Sequence, residues 1–493
     1  MAASRAYRDF EKHLLPREEA AAAIATLPAE REARDYLDRR RSELATTLAR
    51  VEQQPEAGLL EGVRQEQSGL VVSPLASDTP PEVEEQTRRV YARLPSVPIT
   101  ELLMEVDQWT GFTGQLTTAR GGTPCADREA LLSAILAEAT NLGPVKMAYA
   151  TPGMTYGRLA RAADSHLREE TYQSALAELV NAQHRQRLAG VWGDGTTSSS
   201  DGQRFPVGGR REPQAQVNAR YGTGPSVVFY THVSDRYAPF HTKVINAGAR
   251  DATHVLGGLL EREAELSIEE HYTDTSGYTE QVFGLCYLLG YRFAPRMRGL
   301  ADKKLFTFAA INGASPLAKL VSGTIKTTVI EENWAEVLRL AASIQQGTVS
   351  SSLMLAKLAA YPRQNQLAQA LRELGRVERT LFTLAWLESP ELRRRVGQGL
   401  NKGEERNALA RAVFFHRRGM VQELRPEAMQ NRACGLNLVV AAITLWNTVY
   451  LERAIGQLAD RQTLLPEDCV RHLSPLAWDH ILLTGEYRWQ LAT

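Results

Sequence analysis

The chain has 493 residues and carries 57 Lys and Arg against 57 Asp and Glu, a formal net charge of zero, with 43% hydrophobic and 23% charged residues. That is globular composition: it excludes a disordered or collagen-like chain, and size and charge together exclude a small basic DNA-binding module. Four cysteines (Cys125, Cys286, Cys434 and Cys469) are too few for a secreted disulfide scaffold and too far apart for a C-x-x-C zinc or redox pair.

The cysteines are therefore expected to be buried, reduced thiols of a cytoplasmic protein. Charge lies where a signal peptide needs an apolar run, and no stretch of 18 uncharged apolar residues occurs, so no membrane partner is expected. From Glu18 to Glu52 interleaved acidic and basic residues predict solvated helices broken at Pro28. Loops follow at Pro55, Pro74 and Pro80-Pro81. Helical blocks are then predicted over 82–107, with a break at Pro95–Pro98, over 126–141, and over 156–188, where Leu159, Ala163, Leu167, Tyr172, Ala175 and Leu179 keep helical spacing.

At Ala189 the texture changes. Three β segments are predicted, at 190–203, 216–221 and 226–233, then a helix over 253–264. A strand over 267–274, a helix over 278–289 and a strand over 291–295 have the spacing of a parallel β-α-β pair. After Arg298 the helices return. Leu367, Leu371, Leu374, Val377, Leu381 and Leu384 form an amphipathic stripe, a helix is expected from Gly403 to Arg418, and 436–458 reads as an apolar core helix.

Motifs for nucleotide phosphates, zinc proteolysis and serine nucleophiles are missing from the sequence. Gly193-Asp194-Gly195 and Gly222-Thr223-Gly224 read as turns. Carboxylates remain. Asp274 follows a strand at the end where open α/β sheets present ligands. Asp194 and Asp201 lie on or beside the first β segment, and Glu404 and Glu405 open a later helix. Two strand aspartates with a helix glutamate can hold divalent ions, which favour hard oxygen ligands together with substrate phosphate. Two such ions support in-line displacement at phosphorus. Residue types alone do not choose Asp201 over Asp194 or Glu404 over Glu405.

Longer blocks do choose. Trp192 to Phe205, with Ser199-Ser200-Asp201-Gly202-Gln203, resembles the signature of transposases of class II replicative bacterial transposons, the Tn-three family. So do Phe229 to Asp235, Tyr237 to Ile245, His271-Tyr272-Thr273-Asp274-Thr275, Tyr291 to Arg296, Leu400-Asn401-Lys402-Gly403-Glu404, Ala412 to Phe415, Leu445 to Thr448 and Leu473 to Leu476. The resemblance spans about 91–487. It implies an α/β core, a ribonuclease H-like mixed sheet, embedded in a mostly α-helical chain, with a large helical insertion before the catalytic glutamate helix.

The domain reading that follows is a helical linker or dimerisation region (1–120), a helical region (121–188), the sheet with both aspartates (189–304), the insertion (305–399) and C-terminal helices with the glutamate (400–493). The resemblance assigns Asp201, Asp274 and Glu404 as catalytic and metal-binding residues, with two Mg²⁺ per site and Mn²⁺ able to substitute. It implies a DNA transposase that cleaves transposon 3′ ends and transfers the strands to target DNA. Implied partners are double-stranded DNA (terminal inverted repeats and target) and a second copy in a homodimer.

Phosphate contacts are expected among Arg204, Arg210, Arg211, Arg220, Lys243, Arg296, Arg298, Lys303, Lys304, Lys402, Arg406, Arg411, Arg417 and Arg418, with His241 and His271 near the triad. Family members are typically longer at the N-terminus, so the chain reads as the C-terminal catalytic half. The alternative reading is a catalytically silent DNA-binding fragment that inhibits full-length transposase.

Overall fold

The computed structural model describes residues 11–53, 62–66, 69–73, 81–208, 216–217, 224–248, 251–275, 277–298, 304–311, 313, 315, 317–360, 365–422, 425–460 and 465–490. In chain order, the elements that matter for the site begin with helices α1 (Ala33–Gln53), α2 (Arg128–Ala139) and α3 (Glu169–His184). Strands β1 (Thr197–Pro206), β2 (Pro225–Ser234), β3 (Pro239–Asn246) and β4 (Glu270–Tyr272) come next, then α4 (Glu280–Leu288) and β5 (Arg292–Phe293). Beyond them are β6 (Leu305–Thr307), β7 (Val321–Thr324), α5 (Thr327–Gln345), α6 (Gln366–Glu388), α7 (Pro390–Val413) and α8 (Pro426–Asp460). The chain is thus mostly helical with mixed strand pairing.

It divides into two compact units. The first comprises Met1–Ser77, Arg250–Leu260 and Glu269–Leu400; the second comprises Asp78–Ala249, Glu261–Ile268 and Asn401–Thr493. Within the second unit β2 is flanked by antiparallel β1 and β3, and Asp201, Thr231 and Thr242 form one row across the three strands. Helix α8 forms the core of this unit, packed on α2, α3 and β3. It is long and apolar enough to cross a membrane, yet 89% of its most apolar window is buried. Its polar residues are answered inside the unit. Asn447 donates to the carbonyls of Pro475 (2.8 Å) and Ala477 (2.7 Å), and the Tyr450 hydroxyl donates to Glu105 Oε1 at 2.9 Å. That is the bonding a buried core helix requires.

In the first unit β4 and β5 pair in parallel on either side of α4, as the β-α-β spacing predicts. The leucine stripe lies on α6, where Leu367, Leu371, Leu374, Val377 and Leu384 are buried. Helix α6 packs tightly against α4. A Cβ on Gly375 would sit 1.7 Å from the Glu280 carbonyl oxygen, so only glycine fits there. Overpacking of this kind costs about 1–3 kcal/mol. Gly375→Ala should therefore lower the melting temperature by roughly 5 °C in a thermal melt; an unchanged melt would contradict the close approach. One turn further along α6, Glu378 accepts from Tyr36 Oη (2.9 Å) and from two nitrogens of Arg40 (2.8 Å each), which fastens α1 in place.

Several sequence expectations change. The run 156–188 is two helices, because the chain turns at Leu167 and Arg168. Ala189–Trp192 is a helical turn and the first strand begins only at Thr197. Between them Gly193-Asp194-Gly195 is the expected turn: Gly195 has φ +89°, and a Cβ on Gly193 would clash with Asp235 at 2.3 Å. Strand β3 and the hairpin of Val63–Glu66 with Gly69–Val72 had no counterpart in the pattern. The stretch after Leu305 starts with the parallel pair β6–β7 before it becomes helical. Glu404 and Glu405 do not open their helix. Helix α7 already runs from Pro390, through Gly397, Gly399 and Gly403. One of them, Gly399, is needed for packing, because a Cβ there would meet Tyr272 at 2.3 Å.

Candidate functional site

Alternate side chains of a strand share one face, and Ser199, Asp201, Gln203 and Phe205 of β1 each reach α7 or the chain just past its end. A Cβ on Gly403 would lie 3.6 Å from Ser199 Oγ. Asn407 Nδ2 donates to Asp201 Oδ2 at 3.0 Å, and Gln203 Nε2 donates to the Asn407 carbonyl at 2.8 Å. The Phe205 ring packs on Phe414 at 4.7 Å between centroids. Strand and helix thus advance together, which fixes the rotation of α7. Glu404 lies one turn before Asn407, next to Gly403, at the exposed edge of the α7 face that meets β1.

The two carboxylates differ in character. Asp201 is half-buried, with Oδ1 accepting the Gly202 N–H at 2.8 Å as well as the Asn407 bond on Oδ2. Glu404 is exposed and makes no hydrogen bond or ion pair among the described residues. Their rivals are engaged elsewhere. Asp194 caps its own turn, accepting from Thr196 Oγ1 (2.6 Å) and Thr196 N (2.9 Å), and these bonds hold its carboxyl below the usual range. Glu405 accepts from Ser474 Oγ at 2.7 Å.

Behind Asp201 lies a buried cation that sequence reasoning placed on the surface. Arg406 is 1% exposed and donates to Asn437 Oδ1 (2.8 Å), Asn407 Oδ1 (3.2 Å) and Gln203 Oε1 (3.4 Å). Burial pushes its guanidinium down to about 9, and the Asp201 charge opposes that shift. Lys402 is likewise structural. It donates to the carbonyls of Asp235 (2.6 Å) and Trp192 (2.8 Å), and burial lowers its amine to about 8. Arg406, expected at a phosphate, is instead a buried structural cation, and Asn407 is a contact of Asp201 that the sequence reading missed. The available signal was a side-chain amide three residues after Glu404, one turn along the same face.

Asp274 belongs to the first unit. It is exposed, just beyond the C-terminal end of the parallel pair, where bonding continues from Ala294 N to the His271 carbonyl and from Arg296 N to the Thr273 carbonyl (2.8 Å each). The chain then turns at Gly277, where a Cβ would lie 2.7 Å from that of Thr273, and enters α4 through the N-cap Thr279.

Among the predicted phosphate contacts, Arg298, Lys304, Arg411 and Arg418 are exposed, and Arg204, Arg296 and Arg417 are half-buried. Lys243 is ion-paired with Glu169 at 2.7 Å. His241 is buried against His232, 5.3 Å between ring centres, and lies 3.8 Å from Glu261. His271 is fully buried, and burial drives it down to about 3; it is neutral at physiological pH and brings no charge to a phosphate. Arg210, Arg211, Arg220 and Lys303 lie outside the described residues. Among the described residues no three His, Cys, Asp or Glu side chains gather closely enough to hold a metal ion. The donor chemistry nevertheless suits a hard divalent ion: Asp201 offers an anchored carboxylate and Glu404 an exposed one that engages nothing among the described residues.

The sequence matches the Tn3 transposase DDE domain over residues 101–487. It is 51% identical over 491 residues to the transposase for transposon Tn501 of Pseudomonas aeruginosa, covering 99% of this chain and 50% of that protein. Identity is 50% over 496 residues to the transposase for transposon Tn21 of Escherichia coli, again 99% and 50%. To the transposase for transposon gamma-delta of Escherichia coli K12 it is 37% over 421 residues, 84% of this chain and 42% of that one. The chain spans about half the length of these curated relatives.

Proposed function

We infer the reaction from one premise: the chain belongs to the family of Tn3 transposase DDE domains. The function that follows is DNA transposition, by cleavage at transposon 3′ ends and joining of the freed 3′ hydroxyls to target phosphodiesters. The core is read as ribonuclease H-like, built from 189–304 and 400–493, with 1–188 and 305–399 as helical additions. One observation supports the assignment of Asp201 and Glu404 over their neighbours: the Asn407–Asp201 bond, made one helical turn from Glu404.

Asp201, Asp274 and Glu404 would hold divalent ions, Mg²⁺ or Mn²⁺. When bound, such ions activate the attacking oxygen and stabilise the leaving one. The chain's own groups do the positioning. Asn407 orients one lobe of the Asp201 carboxylate, and Arg406 supplies a fixed positive field behind it. Glu404, which engages nothing among the described residues, would supply the remaining carboxylate. Exposed Arg298 and Arg411 neutralise DNA phosphates, which makes binding steeply salt-dependent. The substrates are double-stranded inverted-repeat ends and target DNA, and the working form is a homodimer on DNA in the cytoplasm.

The test uses the 493-residue chain, pre-cut transposon ends and a target plasmid. Joined products should form with Mg²⁺ or Mn²⁺ and vanish on chelation. Binding without joining in either metal would overturn the enzymatic reading.

A further inference from the structure

A second polar site lies wholly within the first unit. A cavity of about 390 Å³ is lined by Tyr278, Glu280, Lys304, Phe306, Ser322, Arg376 and Arg379. Its volume is within the ~300–1,000 Å³ of small-ligand sites, which suits one nucleotide and not a base pair with its partner strand. Arg372, Arg376 and Arg379 stand on one face of α6, and all three converge on Glu280, at 4.0, 3.5 and 3.3 Å. Glu373 takes a second bond from Arg376 at 2.6 Å. Three arginines thus share two carboxylates, and with Lys304 in the lining the charge among the described residues is positive.

Aromatic surface completes the lining. The Arg376 guanidinium sits 4.1 Å from the centre of the Phe306 ring and that of Arg379 sits 5.7 Å from it. Tyr278 is the fourth residue after Asp274, on the same turn leading into α4. Guanidinium groups bind phosphate oxygens through paired N–H donors, and aromatic faces stack on bases of any sequence.

We propose that this cavity binds a single unpaired nucleotide of the DNA strand next to the reacting end, with the phosphate on Lys304 and Arg379 and the base against Tyr278 and Phe306. The proposal rests on the DNA reading above and adds a strand-separated substrate to it. A reaction at a strand end is eased when the terminal base is out of the stack, and a pocket for that base favours the opened form.

The test compares a duplex carrying one unpaired 5-iododeoxyuridine at its 3′ end with the fully paired duplex, both offered to the whole chain. The unpaired form should bind about five-fold more tightly or better. On irradiation it should crosslink to Tyr278 or Phe306, identified by mass spectrometry. Tyr278→Ala should remove the preference and leave paired-duplex affinity unchanged, and Tyr278→Phe should restore it; Lys304→Ala should weaken the unpaired form more than the paired one. Equal binding of both duplexes with crosslinks elsewhere would overturn the pocket while leaving the DNA reading intact. Failure to bind either duplex would instead sink the DNA reading. Competition by free deoxynucleoside monophosphate that is lost in Tyr278→Ala, with no preference between duplexes, would also overturn the proposal, because the ligand would not be DNA.

Discussion

Arg406→Leu should destabilise the second unit more than any other single change near the candidate site. The guanidinium is buried and is the donor to three side-chain oxygens, of which Asn437 Oδ1 belongs to a fully buried residue. Leucine fills much of the volume but answers none of those acceptors. It also leaves Asp201 without the charge behind it. Removing one partner of a buried polar network typically costs about 3–5 kcal/mol. For a unit of this size that corresponds to a fall of roughly 10 °C in its melting transition. Arg406→Lys should recover little, because a single ammonium cannot span acceptors on Gln203, Asn407 and Asn437 at once. Calorimetry of the whole chain checks this. A transition within a degree or two of the wild type would mean that Arg406 is not a keystone between β1, α7 and α8.

The same residue explains what the sequence could and could not reveal. Arg406 lies in a run of charges from Lys402 to Arg411, and composition places such a run in solvent. Its partners come from Gln203 and Asn437, contacts that no local window contains. Strand β3 was missed for a related reason. Its first four residues are all buried, so the alternation that marks a half-exposed strand is absent. By contrast, the α6 stripe and the β4-α4-β5 unit depend on local spacing and were readable. Asp194 and Asp201 were indistinguishable as strand carboxylates. They separate only once Asp194 is seen to close its own turn and Asp201 to meet Asn407. Family motifs supplied that choice in advance, where periodicity could not.

Glu404→Gln should abolish strand joining while the protein melts as the wild type does. The side chain is exposed and engages nothing among the described residues, so no folded contact is lost when its charge goes. Loss of a hard anionic ligand removes several kcal/mol of charge stabilisation, and at 1.36 kcal/mol per tenfold the rate should fall on the order of 10³-fold. Asp201→Asn should fall as far, but with a lower melting temperature, because a neutral amide no longer balances buried Arg406. Asn407→Ala acts through Asp201 and should cost about 10–100-fold, the range for a residue that orients a metal ligand. Glu405→Gln and Asp194→Asn are the controls: the first keeps an acceptor for Ser474 and the second keeps an acceptor for Thr196, so both should join DNA within a few-fold of the wild type. Joining lost in Glu405→Gln and kept in Glu404→Gln would place the wrong face of α7 against Asp201, and the bond from Asn407 would then be a packing contact with no bearing on the chemistry.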